Sequence, residues 1–163
     1  MLEQPRFSLT DLNPEAYRHL IQLEALIARH VEPTLFHLIK LRASQINGCA
    51  FCLQMHTDQA LRHGERPERM TALDAWEESP LYTDKERAAL RWTEELTLIS
   101  DSGASREAFD EVKAHFSEEE IPWLIFAAVQ INSWNRIAVA TRARYERPAH
   151  SSQPAAEKAH EPA

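Results

Sequence analysis

The sequence predicts an all-α fold in one domain, on three observations. Only 3 glycines occur in 163 residues, which disfavours an architecture built on many tight turns. Apolar side chains recur at helical spacing along the chain. Helix-start signals precede several of these stretches. Hydrophobic residues make up 44% and charged residues 26%, the composition of an ordinary globular protein long enough to bury a core.

Two helices are predicted in the first 46 residues. An Asn-Pro-Glu sequence at 13–15 supplies a cap, a proline for the first helical position and an acid for the first turn. The apolar stripe that follows predicts a helix to about residue 30. Its other face is expected to be solvated and carries Arg18, Gln22, Glu24 and Arg29. Pro33 marks the next start, and residues 35–46 form the second helix, with Lys40 and Arg42 reaching solvent or pairing with acids.

The third helix follows the turn signal Asn47-Gly48. Residues 49–63 contain no glycine or proline, and Gly64 is suited to end the helix. At about 100° per residue, Cys49, Cys52 and His56 fall within roughly 60° of arc on one face. We therefore expect the cysteine pair in the first turn of a helix.

Four further helices complete the predicted fold, over residues 67–76, 83–100, 105–116 and 121–145. The second and fourth of these are preceded by Ser/Thr-x-x-Glu capping boxes. The fourth is apolar around nearly its whole circumference, so it is either the central core helix or is buried partly by another subunit. Residues 148–163 are rich in Pro, Ala, Ser and His and are expected to be a disordered tail.

Charge and cysteine content exclude several function classes. A net charge of −7 argues against a nucleic-acid surface. The longest apolar run, 121–131, is well short of the ~20 residues that span a bilayer, so no membrane association is expected. Two cysteines are too few for a disulfide scaffold, and the N-terminus has no signal-peptide pattern. We therefore expect a cytoplasmic protein in which a CxxC pair is catalytic or redox-sensing.

The cysteine pair and His56 suit a reactive thiol. A helix N-terminus favours a thiolate. The i, i+4 imidazole of His56 can take the proton of Cys52, and Cys49 can resolve an oxidised Cys52 into a disulfide. Two alternatives compete: the cysteines pack as small hydrophobes, or Cys49, Cys52 and His56 hold zinc between subunits.

Two other histidines lie near this stretch in the sequence. His63 shares the arc of the cysteines but is about 10 Å further along the helix axis than His56. It is therefore expected to have a surface or capping role outside the site. His37 lies on the side of the second helix that carries Leu41 and Ser44. Taken alone, it is typical of a packed or surface histidine.

The segment LRASQINGCAFCLQMHT, residues 41–57, resembles the core motif of the alkylhydroperoxidase AhpD-like family in the carboxymuconolactone decarboxylase superfamily. The segment NSWNRIA, residues 132–138, resembles the closing helix of that family. The resemblance implies an all-α fold of about six or seven helices over residues 1–147. It also implies a trimer or hexamer and a peroxidase that needs no cofactor.

The resemblance also implies roles for individual residues. Cys52 attacks the hydroperoxide, Cys49 resolves it, and His56 serves the proton relay. A lipoyl group or a thioredoxin-like protein supplies the reducing dithiol. The family usually has a glutamate twelve residues before the first cysteine, and this chain has His37 there. We therefore count His37 among the candidate catalytic residues. A lactone decarboxylase and a non-catalytic redox sensor are the alternative functions.

Overall fold

A computed structural model describes residues 4–8, 11 and 13–147. Over these residues the chain is entirely helical, with no β-strand, which confirms the predicted fold class. The predicted tail, 148–163, lies outside the described residues. The helices are α1 Pro14–Ile27, α2 Pro33–Ile46, α3 Ala50–Arg62, α4 Pro67–Ala72 with a 3₁₀ turn at Leu73–Ala75, α5 Asp84–Thr97, α6 Ile99–Ser102, α7 Arg106–His115 and α8 Ile121–Thr141.

The helix-start signals before α1 and α5 correspond to hydrogen-bonded side-chain caps. The predicted box of Ser117 and Glu120 forms in the turn before α8, whose N-cap makes no side-chain cap bond. Asn13 Oδ1 accepts a hydrogen bond from the backbone N–H of Ala16 at 3.0 Å. The capping box before α5 is complete, because Thr83 and Glu86 each accept a backbone hydrogen bond from the other. The cap of α2 was not foreseen. It is Glu32, whose carboxylate accepts the backbone N–H groups of two residues in the first turn of α2.

Helix α2 is the centre of the molecule and packs against α3, α5 and α8. One side of α2 joins the larger core, which includes Phe36, Ile39 and Trp92. The opposite side joins a second core with Leu38, Leu41, Leu73, Trp76, Tyr82 and Leu90. Because both sides are buried, the orientation of α2 is fixed from two directions, and any polar side chain on its remaining face is held in a defined place.

Several helices end earlier than the sequence predicted, and α1, for example, stops at Ile27 instead of near residue 30. Helix α5 stops at Thr97 and is followed by the single turn α6. Helix α8 stops at Thr141, because Arg142 adopts a left-handed conformation with φ of 56°. The backbone N–H of Ala143 then donates to the carbonyl of Ala138 at 2.9 Å, which closes the helix in the manner of a Schellman motif. Glycine is the usual residue at such a position, so the sequence carried no signal for this ending.

Helix α8 is not buried all round in the subunit. Phe126, Val129 and Val139 are each about half exposed on one side of it. Partial burial of α8 by another subunit requires an exposed apolar surface of this kind. The homo-oligomer stays a prediction. Among the described residues, no helix combines the length and the hydropathy needed to cross a membrane.

Candidate active site

The two cysteines form a disulfide at the N-terminus of α3. Cys49 is the N-cap of the helix, and its Sγ accepts the backbone N–H of Cys52 at 3.3 Å. Gly48, immediately before the pair, has φ of +62°, a conformation that favours glycine. The predicted position of the pair, in the first turn of a helix, is therefore confirmed.

A network of four polar side chains holds this turn against α8. Asn47 Nδ2 donates to Asn132 Oδ1 at 3.0 Å and to Asn135 Oδ1 at 2.9 Å. Asn135 Nδ2 in turn donates to Ser44 Oγ at 3.0 Å. The backbone carbonyl of Ser44 accepts the N–H of Cys49 at 3.0 Å. Both segments that carry the family resemblance thus meet here, and their polar residues position the start of α3.

Beside this turn lies a cavity of about 520 Å³, lined by α1, α2, α3 and α8. The volume suits a small organic ligand. Most of the wall is apolar and aromatic and includes Tyr17, Phe36, Phe51, Met55 and Trp134. The polar groups on the wall are Glu24, His37, Lys40, His56, Gln59 and His63.

His56 faces this cavity from α3, one turn after Cys52. Its Nδ1 lies 2.9 Å from Gln59 Oε1. A carbonyl oxygen can only accept, so Nδ1 carries the proton and Nε2 of the neutral ring has a free lone pair. Nε2 is buried and has no hydrogen-bond partner among the described residues. Gln59 therefore holds His56 in the tautomer that can accept a proton at Nε2.

His37 faces the same cavity from α2, and His63 is its partner. His37 Nε2 lies 2.9 Å from His63 Nδ1, which also lies 2.9 Å from the backbone carbonyl of Gln59. The carbonyl requires a donor, so His63 Nδ1–H is shared between the carbonyl and His37 Nε2. The expected surface and capping role of His63 is confirmed, since it is exposed and is the C-cap of α3. Contrary to expectation, it also lines the cavity. Its contact in the cavity is with His37 on the neighbouring helix α2.

Lys40 is a buried cation on the cavity wall, with 5% of its surface exposed. Its Nζ lies 3.1 Å from Glu24 Oε1 and 3.8 Å from the centroid of the Phe36 ring. Glu24 was expected on the solvated face of α1. Instead it reaches Lys40, and its Oε2 is buried without a partner in the described chain. The expected pairing of Lys40 with an acid is confirmed, but the pair lies inside the site.

Burial and the nearby ammonium group keep His37 and His56 neutral. Burial lowers the pKa of His37 to about 4, and the charge of Lys40 acts in the same direction. Burial lowers the pKa of His56 to about 3, again with Lys40 adding to the effect. These values belong to the oxidised state. In the reduced state, a Cys52 thiolate would favour the protonated form of His56.

The disulfide itself is covered. Both cysteines are 1% exposed and pack with Ala138 and Phe51, two residues of the cavity wall. Residues 142–147, which we call the C-terminal strap, cover them further, since Ala143 packs against the same cluster. A reductant that attacks either sulfur must therefore displace part of this cover.

The C-terminal strap is fastened to α3 by Asp58, whose side chain is 5% exposed. The carboxylate accepts the hydroxyl of Tyr145 at 3.0 Å. It also accepts hydrogen bonds from Nε and Nη2 of Arg147, at 3.0 and 2.7 Å. Tyr145 in turn packs edge-on against Phe51, with ring centroids 5.9 Å apart. One carboxylate thus secures the strap over the disulfide.

Asp58→Asn should speed reduction of the disulfide by a small water-soluble dithiol about tenfold. A neutral amide cannot reproduce the charged two-point contact with Arg147, and hydrogen bonds to charged groups contribute about 1.5–3 kcal/mol. The release of free thiols over time measures the effect. Glu111→Gln, which removes a surface ion pair with Arg91, is the matched control and should leave the rate unchanged. An unchanged rate in Asp58→Asn would show that the strap does not limit access.

The structure brings the candidate catalytic residues to one region but not to one surface. His37 and His56 line the cavity, while Cys49 and Cys52 lie just behind its wall in the oxidised state. Within residues 4–8, 11 and 13–147, no three His, Cys, Asp or Glu side chains are grouped to hold a metal ion. The site as a whole is a dithiol–disulfide pair next to a histidine-lined apolar cavity.

An all-helical chain with such a site is a helical thiol–disulfide protein, and comparison with known proteins gives its family. Residues 14–95 match the carboxymuconolactone decarboxylase family. YdfG of Bacillus subtilis (strain 168), an uncharacterized protein, is 39% identical over 136 residues, which is 83% of this chain and 92% of YdfG. The chain belongs to the carboxymuconolactone decarboxylase family and is AhpD-like within it, as the sequence predicted.

Solved structures agree with this placement. The protein of unknown function ATU0492 from Agrobacterium tumefaciens, proposed to be the antioxidant-defence protein AhpD, superposes with a TM-score of 0.85. It is 40% identical, and the match covers 89% of this chain and all (100%) of that one. The debrominase Bmp8 superposes with a TM-score of 0.71 at 24% identity, over 82% of this chain and 73% of its own, and shares the fold.

Proposed function

We propose that this chain is a thiol-dependent peroxidase that reduces hydroperoxides through a Cys49/Cys52 dithiol–disulfide cycle. The observation that carries the proposal is the disulfide at the N-terminus of α3, one turn before a histidine with a free Nε2 on a ligand-sized cavity. The AhpD-like relationship supports it. The structure corresponds to the oxidised end of the cycle.

The cycle assigns a role to each thiol. In the reduced protein His56 Nε2 takes the proton of Cys52, and the thiolate attacks the terminal oxygen of the hydroperoxide. The O–O bond breaks, Cys52 becomes a sulfenic acid, and the remaining oxygen leaves as an alcohol once it has taken up a proton. The thiol of Cys49 then displaces water from the sulfenic acid and restores the disulfide.

A protein dithiol must reduce the disulfide after each turnover. We propose a lipoyl group or a thioredoxin-like protein in this role, acting in a reducing cytoplasm. We also propose a homo-oligomer, a trimer or hexamer, that uses the open apolar side of α8. The reductant is proposed from the resemblance to the family, and the oligomer from that resemblance and from the half-exposed Phe126, Val129 and Val139 on α8.

Steady consumption of hydroperoxide tests the function. The protein, a dithiol such as dihydrolipoamide and cumene hydroperoxide should together give many turnovers per subunit. Oxidation that stops after one equivalent per subunit would instead favour the redox sensor. Absence of any thiol oxidation by hydroperoxide would refute the peroxidase and return attention to decarboxylation of lactones.

Substitutions at position 37 test whether His37 belongs to a proton relay or only packs against its neighbours. His37→Glu should raise the rate of the first oxidation about tenfold, because a carboxylate near His56 favours its protonated form and one pKa unit corresponds to a factor of ten. Rapid mixing of reduced protein with hydroperoxide measures the rate. His37→Gln, similar in size and uncharged, is the matched control. If the two variants behave alike, position 37 is a packing site and the relay ends elsewhere.

A further inference from the structure

The Lys40–Glu24 pair on the cavity wall has no role in the cycle described so far. A lysine in the middle of α2 with 5% of its surface exposed is unusual, because an ammonium group loses its hydration there. A single carboxylate oxygen of Glu24, 3.1 Å from Nζ, accepts a hydrogen bond from one of its three N–H donors. Its other contact is the face of the Phe36 ring, which is not a conventional hydrogen-bond acceptor. Two donors therefore remain for a ligand in the cavity.

The peroxidase reaction needs a proton donor at this place. Breaking the O–O bond of an alkyl hydroperoxide releases an alkoxide, a poor leaving group that requires a proton as it departs. His37 cannot supply it at neutral pH, since burial lowers its pKa to about 4. His56 carries a proton in the reduced protein once it has deprotonated Cys52, so it competes with Lys40 for this role. Of the described residues that line the cavity, Lys40 is the one lysine or arginine.

We propose that Lys40 is the general acid of this reaction, donating a proton from Nζ to the departing alkoxide. This inference rests on the proposed peroxidase function. The sulfur of Cys52 gives two electrons to the terminal oxygen, an S–O bond forms and the O–O bond breaks. The alkoxide takes the proton of Nζ and leaves as an alcohol. The neutral amine then recovers the proton that His56 removed from the thiol, so protons and electrons balance.

The surroundings of Lys40 suit a group that gives up and regains a proton. Burial lowers its pKa, and the charge of Glu24 opposes that effect. Glu24 keeps the ammonium in place through Oε1, while its buried Oε2 has no hydrogen-bond partner among the described residues. The pair is neutral overall, which matches an uncharged hydroperoxide in an apolar cavity.

Two oxidants with different leaving groups test this role. tert-Butyl hydroperoxide releases an alkoxide, whereas peracetic acid releases a carboxylate that needs no proton. The variant Lys40→Met with Glu24→Gln removes the acid without leaving an unpaired buried carboxylate. Its rate of oxidation by tert-butyl hydroperoxide should fall at least ~100-fold, and its rate with peracetic acid should stay within a few-fold of wild type.

Lys40→Arg supplies a second measurement that does not depend on the first variant folding well. Arginine keeps the positive charge but does not give up a proton, so the same selective loss is expected. Lys113→Met, on the exposed side of α7, is the control and should behave as wild type. Loss of both rates in proportion, or of neither, would overturn the assignment of Lys40. A wild-type protein oxidised by neither reagent would refute the peroxidase itself.

Discussion

Replacing Cys52 with serine should abolish hydroperoxide consumption, while replacing Cys49 should leave one oxidation per subunit. The structure gives the two thiols different surroundings. Cys49 is the N-cap, closest to the partial charge of the helix N-terminus, an effect of about 0.3–1 kcal/mol. Cys52 is one turn from His56, whose Nε2 is free to accept its proton. The nearby proton acceptor should favour the Cys52 thiolate more than the slightly stronger helix-dipole field favours the Cys49 thiolate. Cys52 is therefore expected to react first.

Two assays distinguish the Cys52→Ser and Cys49→Ser variants. Consumption of hydroperoxide with excess dithiol reports turnover, and both variants should lose it. A sulfenic-acid reagent with stoichiometric hydroperoxide should label Cys49→Ser and leave Cys52→Ser unlabelled. The double serine variant gives the background of both assays. If Cys52→Ser is labelled and Cys49→Ser is not, the roles of the two cysteines are reversed.

The part of the site that the sequence predicted is the part that is local. Cys49, Cys52 and His56 lie within eight consecutive positions of one helix and its cap, so helical periodicity alone puts them on one face. The Asn47-Gly48 turn that starts this helix is also a local signal. The capping boxes and the fold class belong to the same category, because each depends on neighbours within one or two turns.

The rest of the site depends on how separate helices are rotated against each other. His37 meets His63 across 26 positions of sequence, and Lys40 meets Glu24 across 16. Glu24 lies among charged residues on the polar side of α1, so its pattern indicated solvent. Because two sides of α2 are buried in the two cores, the face that carries His37 and Lys40 is turned toward α1 and α3. No local sequence pattern encodes this orientation of the helix. Gln59 carried one weak signal, its i, i+3 spacing from His56.

Acidification should destabilise the folded protein well above the range in which carboxylates titrate. In the unfolded chain a histidine has a pKa near 6.5, whereas the folded values are about 4 for His37 and about 3 for His56. Between these values and 6.5 the unfolded state binds more protons. The free energy of unfolding therefore rises with pH through that window and falls as pH drops below 6.5.

The expected size of this effect is large for a small domain. Each histidine contributes about 2 kcal/mol between pH 7 and pH 5 by proton linkage, and typical domains have only about 5–15 kcal/mol in total. Urea unfolding of the oxidised protein at pH 7, 6 and 5 gives the free energy directly. His37→Gln and His56→Gln should each flatten the pH dependence.

A surface histidine is the matched control for this experiment. His115→Gln, in the exposed last turn of α7, should leave the pH dependence as it is in wild type. Because the charge of Lys40 helps to lower both pKa values, Lys40→Met with Glu24→Gln should also flatten the curve. A pH dependence that is identical in all variants would mean that the cavity histidines are hydrated enough to accept protons freely. The assignment of a neutral His56, on which the proton-acceptor argument depends, would then be wrong.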